Sequence, residues 1–494
     1  MAGLFAFFDF LRGVPTVVLD PIGALIDALL LNIAQFSLPY RQRLWQDIIY
    51  IDMSGRSDSI VPFPLLYELG GETRQDIAGR FLETCRSLDP HLQSASIQGF
   101  NSLYRVGSPT GVILSALGLQ LDSALDLLRH PEQWLSRFDE AVARYPEAES
   151  AAAFFRQEYL PLLPKDRLAL TNTYRGKIEP ILHDPTMREM FCTAPAGVTF
   201  DEVVRGRKLV LIDLRNESSP KKRAFKIRTA YDHLLAYVRH RGPGKHRPLA
   251  VYIDELADMI DGQASLNADP FAQDLDNLIN VIARNHSLWL CLAHQAQWQM
   301  SERTQKTLLS MGTQIVGVVP DIESAEQLAR QFADLDVARV KRYERVWASE
   351  NLPGGYGGHG TSHFVIDHRI VDSPLEEQVY EMARQFMALR PFEFFVRPRD
   401  DNRLRRISAA RFVGTPWPTD YPEVLAHIRR QLARRMGNSS PPLVAAGEPM
   451  LPTPPTPSVI LEETNPYDTS IDDLPITDDY WETYRTTGIP ASGS

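Results

Sequence analysis

The 494-residue sequence contains little cysteine, and its cysteines form no recognisable pattern. They are far apart, with no C-x-x-C and no Cys/His arrangement at the spacing of zinc ligands. This argues against a cysteine-based zinc site and a disulfide framework, and it favours a reducing compartment, which we take to be the cytoplasm. The three cysteines are Cys85, Cys192 and Cys291.

Long apolar runs are also missing. The first segment, MAGLFAFFDFLRG, is apolar but short, and it carries Asp9 and Arg12. The apolar stretch from 14 to 36 is interrupted by Asp20, Pro21 and Asp27. A membrane span needs roughly 20 consecutive apolar residues, so we predict neither a signal peptide nor a transmembrane helix. A buried strand followed by a helix explains the region better.

Charge is unevenly distributed along the chain. The net charge is −10 overall, but residues 441–494 hold nine acidic residues against one basic residue. The body is therefore close to neutral, and the overall acidity is no argument against nucleic-acid binding by the body. The same final segment holds ten of the 36 prolines and lacks apolar periodicity, so we predict a disordered acidic tail. Its last part, DDLPITDDYWETY, is suited to docking on a basic partner, although a purely solvating tail explains the composition equally well.

The body alternates strand-like and helix-like segments. Near-continuous apolar strands separated by helices predict an α/β fold with a mostly parallel sheet covered on both faces. Residues 65–160 look almost wholly helical, which is too much for a simple crossover and predicts an inserted all-α subdomain. The expected parallel strands are PTVVLD (15–20), IIYIDM (48–53), KLVLIDL (208–214), LAVYIDE (249–255), LWLCLAH (288–294) and QIVGVV (314–319), and EFFVRP (393–398) and RRISAARF (405–412) are expected as an antiparallel addition.

Polar residues end four of these strands, which is where open α/β sheets bind ligands. They are Asp20, Asp213, the pair Asp254-Glu255, and His294-Gln295. In VYIDELADM, apolar residues run directly into Asp254 and Glu255. This is typical of the Walker B strand of a nucleoside triphosphatase, in which the Asp holds Mg²⁺ through water and the Glu activates the attacking water. The competing interpretation is a strand-end Asp that caps the next helix.

Two further residues support the same hypothesis. Gln295 ends the next strand, from which it would sense the γ-phosphate or the attacking water. Arg284 ends a helix just before that strand, and it would reach a neighbouring subunit's nucleotide as an arginine finger. A satisfied strand-end amide and a surface arginine near a helix C-terminus are the alternatives.

Three basic segments are candidates for contacting DNA phosphates. They are SPKKR (219–223), RHRGPGKHR (239–247) and the predicted helix IRRQLARRM (428–436), although ordinary solvated basic surfaces have the same composition. The histidines near GGYGGHGTSH, at 359, 363 and 368, lie in a glycine-rich segment without cysteine, and we predict no metal site there.

The phosphate-binding loop that should accompany a Walker B strand is not in the chain. No segment matches G-x-x-x-x-G-K-[ST]. GYGGHGTS (355–362) has Thr361 where lysine is required and lies after the Gln295 strand. GPGKH (242–246) has a lysine but no following hydroxyl residue.

In combination these segments resemble the TraG/TraD-type coupling ATPases of conjugation and type IV secretion, within the HerA/FtsK class of DNA-pumping motors. The order LDP-x-G, IDMS, helical insert, VLIDL, VYIDE, AR, LAHQ and GTQIV is kept over about residues 14–415. The fit is best from FFRQEYLPLLP (154–164) to MGTQIVGVVPDIESAEQLARQF (311–332). No single motif is strong, but their order together is fairly specific.

The resemblance implies a RecA-like motor domain, a hexameric ring, ATP and Mg²⁺ as cofactors, and DNA moving through a central channel. It implies Asp254 and Glu255 as Walker B, with Asp254 holding Mg²⁺ through water and both Asp254 and Asp20 near the nucleotide. It implies Gln295 as the sensor and Arg284 as the trans-acting arginine. Relaxase or secretion-channel proteins are the implied partners, with the acidic tail as a docking segment and attachment to the inner face of the membrane through partners.

We accordingly expect five regions. They are the first part of the motor domain (1–60), the inserted helical subdomain (61–170), the main part of the motor domain (171–415), a basic helix (416–440) and the acidic tail (441–494). The sequence departs from the family pattern at Ala24, which is often Asp, and in the phosphate loop, which we expect just upstream of Met1. Two interpretations follow: a motor domain that hydrolyses ATP poorly as this chain stands, or a non-catalytic pseudo-ATPase that recruits partners to an active ring. A viral genome-packaging motor is a third alternative.

Overall fold

In the computed structural model, the chain forms two compact units. It describes residues 2–34, 36, 38–54, 60–69, 71–87, 97–193, 197–215, 217, 219–244, 246–256, 275–294, 302–332, 339–352, 360–400, 403–409 and 421–437. The first unit takes residues up to 295, residues 299–310 and the C-terminal helix, and the second is built mainly from residues 311–411. The acidic tail predicted for 441–494 lies outside the described residues, as does Gln295.

A five-stranded, all-parallel sheet forms the centre of the first unit, with the strand order β2-β3-β1-β4-β5. Its strands are apolar along their whole length because helices cover both faces, which confirms the predicted α/β class with a RecA-like sheet. Every residue of β1, β3 and β4 is buried. The strands are β1 (Thr16–Asp20), β2 (Ile48–Asp52), β3 (Leu209–Asp213), β4 (Leu249–Ile253) and β5 (Leu288–Leu292).

Two layers of helices cover the sheet. One face carries Val18, Tyr50, Leu211 and Tyr252 and shares a single core cluster with α1, α2, α3 and the C-terminal helix α17. The opposite face carries Val251 and Ile253, which lie against the long helix α12. The helices concerned are α1 (Ala2–Leu11), α2 (Ala24–Ala34), α3 (Leu38–Gln46), α12 (Pro220–His240) and α17 (Tyr421–Gly437).

Helices make up most of the described residues between β2 and β3, in agreement with the helical region predicted for 65–160. Long side chains fill the interior of this region, among them Trp134, Phe138, Phe155 and Tyr174, all buried. Its α-helices are α4 (Arg74–Ser87), α5 (Ile97–Ala116), α6 (Ala124–Arg129), α7 (Leu135–Arg144), α8 (Glu149–Ala153), α9 (Pro164–His183), α10 (Pro185–Cys192) and α11 (Phe200–Arg205). Short 3₁₀ turns at Leu121–Ser123, Pro131–Trp134 and Pro146–Ala148 and a π-helical turn at Phe154–Tyr159 connect them.

The helix before β5 is a π-helical turn (Leu278–Ile282) that runs into α13 (Ala283–Asn285), and α14 (Glu302–Leu309) follows β5 in the chain. Of the helices in the described ranges, none combines the length and the apolarity required to cross a bilayer.

The second unit departs from the sequence expectation. QIVGVV was predicted to extend the parallel sheet, but β6 (Gln314–Val316) instead pairs antiparallel with β9 (Glu393–Arg397), which pairs with β10 (Arg405–Ser408). The alternating burial of β6 is typical of a sheet covered on one face. The antiparallel pairing predicted for the EFFVRP and RRISAARF segments is confirmed. The helices of this unit are α15 (Ile322–Phe332) and α16 (Leu375–Met387).

A long antiparallel hairpin was not predicted at all. It consists of β7 (Val340–Leu352) and β8 (Gly360–Asp372), which pair over nearly their full length. His363 and His368 lie in β8, whereas His359 lies outside the described residues. The sequence signal was weak: a glycine-rich segment separates the two strands, but neither strand shows strict alternation of polar and apolar residues.

Close helix packing in the helical region yields a stability prediction. A Cβ placed on Gly111 of α5 would lie 2.7 Å from the Ala78 Cβ and 3.1 Å from its Cα on α4. We expect Gly111→Ala to lower the free energy of unfolding by about 1–3 kcal/mol, because the backbones must separate. A Cβ on Gly79 meets no atom within 4 Å, so Gly79→Ala is the matched control and gains up to ~1 kcal/mol of helix propensity. Urea unfolding measures both, and equal effects would contradict this packing.

Candidate functional site at the carboxyl edge of the sheet

Four strands of the parallel sheet end at aspartates that lie in one row. Asp52 pairs in register with Asp213, and Asp213 with Asp20. Asp254 follows β4 directly, and its backbone N–H donates to the Leu19 carbonyl of β1 at 3.0 Å. Four carboxylates thus line the carboxyl edge, in the order β2, β3, β1, β4, at about 4.8 Å from strand to strand.

At the end of β3, an arginine binds the aspartate of this row. Arg215 donates from Nε to both carboxylate oxygens of Asp213, at 3.0 and 2.8 Å, and from Nη2 to the Gly23 carbonyl at 2.8 Å. The Tyr50 hydroxyl donates to Asp213 at 2.8 Å. Asp213 is 1% exposed, so these contacts compensate a carboxylate that has lost nearly all its water.

The same guanidinium reaches a second carboxylate. Arg215 Nη1 lies 2.5 Å from Asp27 of α2, and Arg429 of α17 binds the other oxygen of Asp27 at 2.8 Å. Burial opposes the charge of Arg215, but hydrogen bonds to Asp27 and Asp213 dominate and raise its pKa. We call Asp213, Arg215, Asp27 and Arg429 the edge lock. It joins β3, α2 and α17, and the sequence analysis did not find it, because its members are up to 402 residues apart.

Asp20 is occupied by local backbone contacts. Its carboxylate accepts the N–H groups of Ile22 at 3.0 Å, Gly23 at 2.6 Å and Ile26 at 3.0 Å, and so caps the start of α2. Burial raises the pKa of Asp20, the three N–H groups offset this only in part, and the charge of Asp213 adds to the rise. Asp20 therefore takes the capping role that the sequence analysis considered for Asp254. Its nearby charge still acts on Asp254.

Asp254 and Glu255 form the strained part of the edge. Burial and the neighbouring charge of Asp20 raise the pKa of Asp254, which accepts a hydrogen bond from the Glu255 backbone. Glu255 has a φ of 49°, a left-handed conformation that costs a non-glycine residue of order 1–3 kcal/mol. Such strain concentrates at functional sites, because other contacts must hold it in place. Sequence patterns gave no sign of this conformation.

His294 lies across from this pair at the end of β5. The Ala293 carbonyl accepts the Leu256 N–H at 2.9 Å, so the chain after β5 runs beside the chain after β4. His294 Nδ1 is buried without a hydrogen-bond partner in the described structure, and burial lowers the pKa of the imidazole. The predicted sensor, Gln295, is the next residue and lies outside the described ranges.

The chemistry of this half of the edge fits a hard divalent cation. Mg²⁺ prefers carboxylate oxygens and retains several waters, which suits a half-buried aspartate such as Asp254. The described residues around Asp254 offer no lysine and no glycine-rich loop to hold phosphates. The donor set therefore matches the metal but not the phosphates of a metal–nucleotide complex.

Arg284 lies at the opposite edge of the sheet. It belongs to α13, four residues before β5 begins, and the neighbouring Asn285 carbonyl accepts the Gly244 N–H at 3.0 Å in the loop before β4. A five-residue strand is about 16 Å long, so Arg284 does not reach the carboxyl edge of its own chain. A role toward a nucleotide requires another subunit.

The predicted basic segments also lie at different edges of the sheet. SPKKR begins α12 at the carboxyl edge, where Lys222 pairs with Asp184 and Arg223 donates to the Glu217 carbonyl at 3.1 Å. RHRGPGKHR lies before β4 at the amino edge. IRRQLARRM is part of α17, whose Ile428 and Leu432 are buried. Among the described residues, no group of three or more His, Cys, Asp or Glu is arranged to hold a metal.

Comparison with known proteins gives only weak similarity. No protein-family profile matches the chain, and no curated protein sequence matches it. Among solved structures it is similar to an unbound bacterial conjugative coupling protein, TrwBdeltaN70, with 13% identity, 82% and 80% of the two chains covered, and a TM-score of 0.46. The plasmid coupling protein TrwB with the non-hydrolysable ATP analogue ADPNP gives the same values. TrwB with ADP and Mg²⁺ gives 13% identity, coverage of 81% and 85%, and a TM-score of 0.41. Similarity at this level assigns neither family nor activity, which are argued from the site itself.

The two aspartates on β1 and β4 should respond oppositely to removal of their charge. Asp20→Asn places an amide N–H₂ against a backbone N–H, so we expect the free energy of unfolding to fall by about 1–3 kcal/mol. Asp254→Asn removes a buried charge with a raised pKa, so we expect stability to rise at pH 7. In wild type, stability falls as pH rises from about 3.9 through the raised pKa of Asp254, so the gain should vanish below that window. Urea unfolding at several pH values measures this, and a stability loss in Asp254→Asn at pH 7 would contradict it.

Proposed function

We propose that this chain is the motor unit of a DNA translocase of the coupling type, serving conjugative or type IV secretion-type DNA transfer. Asp254 and Glu255 are its Walker B pair, and the carboxyl edge beside β4 is its Mg²⁺–nucleotide site. The observation that carries the proposal is the contrast within one edge. Asp213 is held by Arg215 and Tyr50, and Asp20 by three backbone N–H groups. Asp254 instead accepts the backbone N–H of Glu255, whose own conformation is strained.

Physical reasoning supports a functional origin of this contrast. An aspartate with a raised pKa next to a left-handed glutamate costs stability, and proteins retain such features mainly where function needs them. The sheet topology supports it as well. Helix α2, which follows β1, lies on one face, and α12, which follows β3, lies on the other, so β1 flanks the crevice where doubly wound sheets bind ligands.

Each site residue takes a defined role in the proposal. Asp254 holds Mg²⁺ through water, Glu255 activates the attacking water, and Asp20 contributes charge while it caps α2. Mg²⁺ would supply neutralisation of phosphate charge at this position. Gln295 senses the nucleotide from the end of β5, and Arg284 acts on the nucleotide of a neighbouring subunit in a ring. DNA is the proposed cargo, with relaxase or secretion-channel proteins and the acidic tail mediating recruitment.

The chain as it stands should be a poor ATPase. Without a glycine-rich loop ending in Lys-Ser or Lys-Thr, the β- and γ-phosphates lose several charge-assisted hydrogen bonds, each worth about 1.5–3 kcal/mol. The missing motif also favours a second candidate function, a non-catalytic scaffold that docks onto an active ring. The two candidates differ in whether Asp254 and Glu255 contact a nucleotide at all.

The test is Mg²⁺-dependent ATP hydrolysis by residues 1–494, with and without linear duplex DNA. We expect slow turnover, reduced about 10²-fold or more in Glu255→Gln because the water-activating carboxylate is lost. Asp254→Asn should weaken Mg²⁺-dependent nucleotide binding, measured by calorimetry at millimolar nucleotide. Asp52→Asn is the matched control, since Asp52 ends β2, three strands from β4 in the same edge.

Two results would change the conclusion. Fast, DNA-stimulated hydrolysis that Glu255→Gln abolishes would show that the chain is a competent motor without the missing loop. No nucleotide binding in wild type, or equal binding in wild type and Asp254→Asn, would leave the scaffold as the better description.

A further inference from the structure

The parallel sheet is electrically polar from one edge to the other. Its carboxyl edge carries the row of aspartates, and its amino edge carries arginines and a lysine in the helix ends and loops that lead into the strands. Because every strand of this sheet runs in the same direction, the two sets lie at opposite ends of the unit. The cations at the amino edge are Arg12, Arg205, Arg207, Lys208, Arg239, Arg241, Arg247 and Arg284.

Four of these cations form what we call the arginine rim: Arg239, Arg241, Arg247 and Arg284. Arg241 is its fixed point. Its guanidinium donates to the carbonyls of His286, Ser287 (3.2 Å) and Arg247 (3.2 Å), and so clamps the loop before β4 to the turn before β5. Three carbonyls hold the group in place, and no carboxylate of the described residues pairs with it.

Further contacts join the loops of the rim into one surface. Arg247 Nη1 donates to the Val204 carbonyl at 3.3 Å, which links the loop before β4 to the one before β3. Gly244 N–H donates to the Asn285 carbonyl at 3.0 Å, and Ser287 Oγ donates to the Gly244 carbonyl at 3.3 Å. The rim is therefore preorganised, which lowers the entropy cost of binding a ligand.

The positive charge of the rim is uncompensated. Within the described residues, none of its four arginines forms an ion pair, whereas the nearby Asp47 pairs with Lys208 and Asp201 with Arg205. Arg239, Arg247 and Arg284 are exposed. Burial lowers the pKa of Arg241, which means that its charge is held at a cost to stability. An external anion would relieve that cost.

The backbone around the rim is strained. Ser287 at the rim and Arg207 beside it have a φ of 52° each, a left-handed conformation that is uncommon for these residue types. Gly242, with a φ of 73°, has no atom within 4 Å of the place where a Cβ would lie, so the loop surface is open to a ligand. Two strained residues at one edge indicate that this loop geometry serves more than packing.

We propose that the arginine rim binds the phosphate backbone of duplex DNA. The rim arginines lie before β4 and β5, neighbouring strands about 4.8 Å apart, and Arg247 reaches the Val204 carbonyl before β3. Duplex DNA presents one phosphate charge per about 1.7 Å of its axis, a density at which several phosphates face a cluster of four arginines. The choice of DNA among polyanions rests on the proposed function. RHRGPGKHR is part of the rim, whereas SPKKR lies at the other edge with its charges engaged.

The experiment uses the full chain and a fluorescein-labelled 30-base-pair duplex, with anisotropy titrations from about 50 to 200 mM salt. Arg239→Ala/Arg247→Ala should weaken binding to every duplex sequence alike and reduce the salt slope by about 1.8, at about 0.9 per lost phosphate contact. Arg129→Ala/Arg188→Ala is the matched control, since it removes two exposed arginines from the helical region. The control should bind as wild type does, and thermal unfolding should give both variants the wild-type midpoint.

Each other outcome overturns the inference in a recognisable way. Equal weakening in both double variants means that net charge, not the rim, governs binding. Unchanged DNA binding in the rim variant places the DNA site elsewhere and leaves the proposed function standing. Loss of binding to phosphatidylserine vesicles with DNA binding retained would identify the rim as a membrane contact. Wild type without any DNA affinity would overturn the proposed function together with the rim, whereas DNA binding through the rim without nucleotide binding would overturn only the motor.

Discussion

The edge lock is the interaction on which the geometry of the sheet's carboxyl edge depends. Arg215 holds the buried Asp213 and, through Asp27, connects to Arg429 of the C-terminal helix. Removing one member of such a buried network leaves an uncompensated charge, which typically costs about 3–5 kcal/mol. Because Arg215 also binds the Gly23 carbonyl, the lock fixes the turn in which Asp20 caps α2. The position of Asp20 in turn determines the field at Asp254.

The two halves of the carboxyl edge illustrate how structural and functional carboxylates are told apart. Asp213 and Asp20 have the same side chain as Asp254 and a similar place at a strand end. They differ in what surrounds them: Arg215 and Tyr50 satisfy Asp213, and three backbone N–H groups satisfy Asp20. Asp254 instead accepts the backbone N–H of Glu255, whose own conformation is strained. Partial satisfaction at one position in an otherwise satisfied row is the physical basis of the functional assignment.

The separation of charge across the sheet places two proposed activities on opposite edges of one unit. Carboxylates at the carboxyl edge suit Mg²⁺, and arginines clamped by carbonyls at the amino edge suit phosphodiesters. Arg284 lies in the second group, about a strand length from Asp254. Arg284 therefore belongs geometrically to the rim, and its predicted role toward a nucleotide requires a ring.

The sequence by itself determined the α/β class, the five central strands, the helical insertion and the polar residues at the strand ends. These follow from local apolar runs and turn residues, which short-range physics specifies. It could not place QIVGVV, because a short apolar run suits either a parallel core strand or one side of an antiparallel sheet. Only the tertiary structure decided which aspartate is a cap, which is locked and which is strained. The partners of Asp27 are 188 and 402 residues away, and no local pattern carries contacts of that separation.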